Sequence, residues 1–175
     1  MADMIIPRPE ATEYGPGFGN YIELVPPCHL PSFLDAQLAE LKGLLDGLPE
    51  RDSLLHHAPF TWSIREVVGH MTDCERVFGY RALRIARNDA TPLAGFEEQS
   101  YMQYANFDRW PLSELLAEFE HLRNSHMIML THLEPEAWLR RGVVSDAPMT
   151  VRAMAYSIAG HAKHHLDILH KRLAS

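Results

Sequence analysis

Apolar residues fall at helical spacing in four stretches of this chain, and each stretch carries its own start and stop signals. The first runs from about Ser32 to Asp46. Ser32 is placed to cap it after Pro31, and Gly47 and Pro49 end it. The second lies in WSIREVVGHMTDCERVFGYRALRIAR. It opens on Ser63 and Glu66, spaced as a capping box, and ends near Arg87. The third runs from about Pro111, a residue suited to a first helical turn, to His132, where LEPEAW breaks the pattern. The fourth starts after Thr150, another capping residue, and reaches about Arg172. Four helices and no clear sheet predict an all-α chain folded as a four-helix bundle.

Residues 1–31 carry six prolines and three glycines and predict an extended N-terminal arm, with room for a short strand at Tyr21–Val25. The arm could lie on the bundle or reach a partner subunit. Residues 32–175 are then a single bundle domain. The link from Asn88 to Trp110 exceeds the usual helix connection, and long loops at one end of a bundle often build a site.

A chain of 175 residues buries enough surface to fold without a disulfide staple, and its two cysteines, Cys28 and Cys74, form no CxxC motif. A net charge of −7 argues against a nucleic-acid partner. No window approaches the ~18 continuous apolar residues of a membrane-spanning helix, so no membrane association is expected. The apolar run MII at the N-terminus is too short for a secretory signal. These features place the chain in the cytoplasm.

Eleven histidines change the picture, because four of them, His161, His164, His165 and His170, crowd the last predicted helix. Helical phase separates them. With Val151 at zero, the apolar arc is made by Met154, Ala155, Ile158, Ala162, Leu166 and Leu169. His165 falls inside it at about 320°, and His161 at its edge at about 280°. His164 and His170 fall on the flank or the polar side. His161 and His165 are thus an i, i+4 pair facing inward, spaced to share one metal ion as in HExxH helices, although Ala162 stands where that motif has its glutamate. The alternative is a pair of core or rim histidines bonded to backbone. On the second helix His70 borders the apolar face. Glu66 and Asp73 lie one turn from it, as orienting partners or as solvated surface acids. Cys74, one turn beyond, is a small buried thiol or a soft fourth ligand. On the third helix His126 also points inward, and the period alone cannot choose between ligand and core residue. His29, His56, His57, His121 and His132 fall in loops or on polar faces and receive no role.

The segments FTWSIREVVGHMTDCERVFGYRALRIARND and SIAGHAKHHLDIL resemble the DinB-like (YfiT-type) metalloenzyme family. The likeness runs from about Tyr21 to the C-terminus. It implies a bundle that binds a divalent metal through one histidine of the second helix and two of the last, which here are His70, His161 and His165. Imidazole ligands suit zinc or nickel, and also iron or copper. The resemblance leaves His164 outside the ligand set. It puts Cys74 where relatives often have Thr or Ser. Members include transferases and isomerases that use low-molecular-weight thiols such as bacillithiol and mycothiol, and others are labelled hydrolases. The expectation is therefore a metal-dependent thiol S-transferase acting on a small-molecule thiol and an electrophile. The rivals are a hydrolase acting on an ester substrate through metal-activated water, and a non-catalytic metal-binding stress-response protein. An ion with no adjoining cavity would favour the last. By resemblance the protein is also expected to be a homodimer.

Overall fold

The computed structural model describes residues 5–174. Four long helices make the bundle: α2 (Leu30–Leu45), α3 (Ile64–Ala86), α5 (Leu112–Thr131) and α6 (Val151–Leu173). α3 packs on α5 and α6, and α2 packs on the same two helices from the other side. Helices joined directly in sequence, α2 with α3 and α5 with α6, therefore sit diagonally. Their connections must cross an end of the bundle, which is why residues 46–63 and 132–150 are long.

The helix boundaries follow local chemistry. Ser63 and Glu66 form the reciprocal capping box: the Glu66 amide donates to Ser63 Oγ at 3.0 Å, and the Ser63 amide donates to Glu66 Oε2 at 2.8 Å. Thr150 caps α6, its Oγ1 accepting from the Ala153 amide at 3.1 Å. Pro111 sits one residue earlier than expected, as the N-cap of α5. α2 is capped by His29, whose Nδ1 accepts from the Ser32 amide at 3.3 Å, so Ser32 lies inside the helix.

Three expectations change. The arm is not a strand at Tyr21–Val25; Gly19–Ile22 form a short helix, α1, and the arm lies on α6. Ile6, Ile22 and Val25 are buried, the Tyr156 hydroxyl donates to the Ile6 carbonyl at 2.6 Å, and Glu13 pairs with Arg152. The long link after α3 holds a further helix, α4 (Glu98–Ala105), of which no residue is buried. It had no apolar face to reveal it. Finally, Arg141–Val144 (β1) and Ala147–Thr150 (β2) pair as an antiparallel hairpin. Ser145 and Asp146 turn it with φ of 50° and 62°, the left-handed pair of a type I′ turn, without the Asn-Gly or Asp-Gly that usually announces one. The Leu93 amide donates to the Val143 carbonyl at 2.9 Å, which pins the segment leading into α4 against this hairpin.

A polar layer divides the core into two apolar clusters. At its centre Arg123 donates to both oxygens of Glu75, each at 2.8 Å, and both side chains are buried. Burial alone would push the Glu75 carboxyl up, but Arg123 and His126 outweigh it and hold the group below the usual carboxylate range. Removing one partner leaves the other charge buried and unpaired. Arg123→Ala should therefore lower unfolding stability by about 3–5 kcal/mol, read from the urea midpoint, and far more than a substitution of the exposed Arg51.

Candidate metal centre

The capping box fixes where α3 begins, and His70 follows two turns in, facing α6. Trp62, just before the box, lays its ring against that of His70, with centroids 4.8 Å apart. On α6, Gly160 precedes His161. A Cβ at Gly160 would lie 2.0 Å from the Tyr21 carbonyl oxygen, so only glycine lets α1 approach α6 here. The approach sets the Tyr21 ring edge-on to His161, with centroids 5.3 Å apart.

The three histidines expected from the sequence come together. His70 Nε2 is 3.0 Å from His161 Nε2, and His165 Nε2 is 3.2 Å from the same atom. They are 3%, 4% and 6% exposed. Burial, then the charge of His164, lowers the pKa of His70 to about 4. His161 and His165 are held well below the ordinary histidine range by burial and by the other imidazoles. All three are neutral at pH 7, the state in which imidazole binds metal.

The geometry fits an ion. Nitrogens at ~2.0–2.1 Å from a tetrahedral zinc lie about 3.3 Å from each other, close to the spacings here. Without an ion, His161 Nε2 has one hydrogen or one lone pair to offer two neighbouring ring nitrogens, and His165 Nδ1 is buried without a partner. The donor set therefore suits a divalent metal with protein ligands on one side only.

The structure chooses between the readings offered for the neighbours of His70. Glu66 is occupied by the capping box and Asp73 by Arg76, at 3.2 Å, so neither orients His70. The carboxylate beside the site is Glu98 of α4, with Oε2 3.5 Å from His70 Nε2. Cys74 is buried, with Sγ 3.7 Å from His70 Nε2. Burial, then the charges of Glu98 and Asp73, pushes its thiol up, so it stays protonated at neutral pH. His126 lies apart from the cluster. Its Nδ1 is 3.0 Å from Glu75 Oε1, and its ring fills the space a Cβ on Gly79 would need. His164 is exposed beside Tyr21, and His170 meets Glu40 on the surface. Two further groups are spaced for an ion: His70 with Cys74 and Glu98, which shares its histidine with the cluster, and His56 with Glu66 and Asp108, of which Glu66 and Asp108 already bind Ser63.

Two cavities reach the cluster. One, of about 380 Å³, is lined by Trp62, His70, His164 and His165. The other, of about 320 Å³, is lined by Cys74, Phe78, Arg81, Phe96 and His161. Tyr21 and Glu98 line both. Sequence reasoning missed Tyr21 and Glu98 as site residues. Tyr21 looked like strand, and FEEQSY has no periodicity to show where its acids point.

Bundle and cluster together define a helical protein with a three-histidine candidate metal centre. The profile of the DinB superfamily matches residues 34–169, and the chain belongs to that superfamily. No curated protein matches its sequence. Among solved structures it is similar to YfiT from Bacillus subtilis, described as "a probable metal-dependent hydrolase with an unusual four-helix bundle topology". The TM-score is 0.75 at 15% identity, over 95% of this chain and 93% of that one. It is also similar to the mycothiol-dependent maleylpyruvate isomerase, with a TM-score of 0.67 at 10% identity, over 80% of this chain and 59% of that one. At these identities the likeness is one of fold. Among the described residues no helix is long and apolar enough to cross a membrane.

The depressed histidines make a stability prediction for metal-free protein. The unfolded chain, with histidine near 6.5, binds more protons than the folded chain until the pH falls to about 4, the value at His70. This contribution is therefore complete above pH 6.5 and is lost progressively below it. Urea midpoints of chelator-treated protein should fall steadily from about pH 6.5 to about pH 4.5. A flat profile across that window would contradict burial of neutral imidazoles.

Proposed function

We propose that the protein is a divalent-metal-dependent enzyme that transfers a low-molecular-weight thiol to an electrophilic small molecule, with His70, His161 and His165 as metal ligands. The observation that carries this reading is the pair of cavities meeting at the cluster, one reaching His70 and His165 and the other His161. That arrangement suits two reactants. A divalent ion, zinc or nickel ahead of iron or copper, supplies positive charge that favours an ionised thiol over its neutral form.

The chain's own groups do the rest. Three neutral imidazoles leave the charge uncompensated, and Cys74 stays protonated and does not compete for it. Glu98, half exposed beside His70 Nε2, takes the proton of the entering thiol. The sulfur then attacks the electrophilic carbon. A carbon–sulfur bond forms as the bond to the leaving group breaks, and the leaving group departs with that electron pair. Tyr21 stays a neutral phenol, its pKa raised by burial and then by Glu98, and offers a hydrogen bond beside both cavities.

Hydrolysis is the second reading, because Glu98 is equally placed to take a proton from water. The adjoining cavities weigh against a purely metal-binding stress-response role. From the family resemblance we also propose a homodimer.

Protein purified without a histidine tag should carry about one divalent ion per chain by elemental analysis, and less than about a tenth would overturn the reading. His161→Ala should lose the ion, and His164→Ala should largely keep it. Supplied with bacillithiol, mycothiol or glutathione and a halogenated acceptor, the loaded enzyme should form a thioether, and chelation should abolish it. Turnover of activated esters without thiol, also lost on chelation, would transfer the proposal to hydrolysis.

A further inference from the structure

The second cavity contains a cation that the fold leaves without a counter-ion. Arg81 is 3% exposed, and its guanidinium carries five N–H donors. It makes one hydrogen bond, from Nη2 to the Ala94 carbonyl at 2.7 Å. Its other contacts are the faces of Phe96 and Phe78, with centroids 5.4 and 5.9 Å away. Glu97 and Glu98 line the same cavity but are exposed, and among the described residues no carboxylate lies within ion-pair distance of Arg81.

Two other buried arginines, Arg123 and Arg65, are treated differently. Arg123 holds Glu75 and also donates to Gln37 Oε1 and the Leu34 carbonyl. Arg65 pairs with Glu50 and bonds Ser53 Oγ and the Asp108 and Trp110 carbonyls. Burying a charge without a counter-ion is costly, and one carbonyl and two ring faces offset only part of that cost. Its donors face a space walled by Phe18, Phe78 and Phe96, where low polarity strengthens attraction to an anion.

We propose that Arg81 is the recognition site for the carboxylate of an organic acid whose apolar body lies among Phe18, Phe78 and Phe96. Resting on the reading above, the same molecule is the electrophilic substrate. Its carboxylate end is held at Arg81, and its reacting end points toward His161. The guanidinium carbon of Arg81 is 5.9 Å from the Phe78 ring, and that ring is 5.8 Å from the His161 ring, so Phe78 lies between the carboxylate site and the candidate metal centre and a short apolar spacer joins the two ends. The guanidinium fork matches a carboxylate through two parallel N–H bonds.

The test separates this site from the metal. Chelator-treated full-length protein is titrated calorimetrically with 3-phenylpropionate and with the neutral isostere 3-phenylpropanol. The acid should bind at least about tenfold more tightly than the alcohol. Arg81→Gln should remove the preference, and Arg81→Lys should keep part of it. His161→Ala, in the same metal-free state, should keep all of it. Urea midpoints check that Arg81→Gln is folded. Should that variant fail to fold, loss of the wild-type preference at high salt is the remaining expected result, and a salt-independent preference would count against the idea. Equal binding of acid and alcohol by wild type, no binding of either, or an unchanged preference in folded Arg81→Gln would each overturn it. A protein that prefers the acid yet carries no metal keeps the Arg81 site and defeats the metal-centred reading instead.

Discussion

A buried carboxylate facing a buried guanidinium holds the four main helices at one level. Glu75 of α3 and Arg123 of α5 meet through two bonds of 2.8 Å, and neither can be withdrawn without leaving a bare charge in the core. Arg123 also donates to Gln37 of α2, and Gln37 Nε2 donates to the Ala159 carbonyl of α6 at 2.8 Å. One connected set of polar groups thus fixes the axial position of every helix relative to the others. Both apolar clusters can exchange side chains of similar size without moving a helix along its axis; this set cannot. His70 precedes Glu75 by little more than one turn, and His161 follows Ala159 by two residues. The nitrogens of the candidate metal centre are therefore positioned by an ion pair that takes no part in its chemistry.

The same layer bears on charge. Arg123 is among the groups that disfavour protonation of His161, behind burial and the neighbouring imidazoles. A site made only of neutral nitrogen donors keeps the full charge of whatever ion it holds. A carboxylate in the ligand set would cancel part of that charge, and an ionised Cys74 would cancel more. Glu98, with Oε2 3.5 Å from His70 Nε2, is spaced to share an ion with that imidazole but stands outside the three-histidine group and half in solvent, and burial keeps the thiol protonated. Proton acceptor and charge centre are adjacent but distinct, which is the separation that activating an external thiol or water requires.

Much of this was legible in the sequence, for identifiable reasons. Helical phase put His161 and His165 inside and His164 outside, because α6 is long, regular and buried along one face. The capping residues Ser63 and Thr150 announced two helix starts through local chemistry. His126 could not be resolved this way, since phase shows that a residue points inward but not what it meets; the answer depended on Glu75, a charge that α3 buries on its apolar face. The hairpin and α4 escaped because neither has a periodic apolar face, and α1 because a single turn held by tertiary packing has no pattern of its own. Nothing in the apolar pattern marks Gly160. Its purpose appears only when the Tyr21 carbonyl is seen against it.

What escaped the sequence is also what surrounds the reactants. The ligands come from α3 and α6, whose geometry the core dictates, but Tyr21 comes from the N-terminal arm, and Glu98 and Phe96 from the segment pinned to the hairpin. α4 buries no residue, whereas the arm is seated by Ile6, Ile22 and Val25; neither supplies a group to the hydrogen bonds of the Glu75–Arg123 layer. A superfamily built this way can keep one metal-holding frame and vary its chemistry by exchanging the pieces around it. Arg81 stands between the two groups. It is anchored in α3 like His70, yet its one hydrogen-bond acceptor among the described residues, the Ala94 carbonyl, belongs to the segment leading into α4. A cation held by the frame and aimed by the loop is where the two meet, apart from the nitrogens of the candidate metal centre.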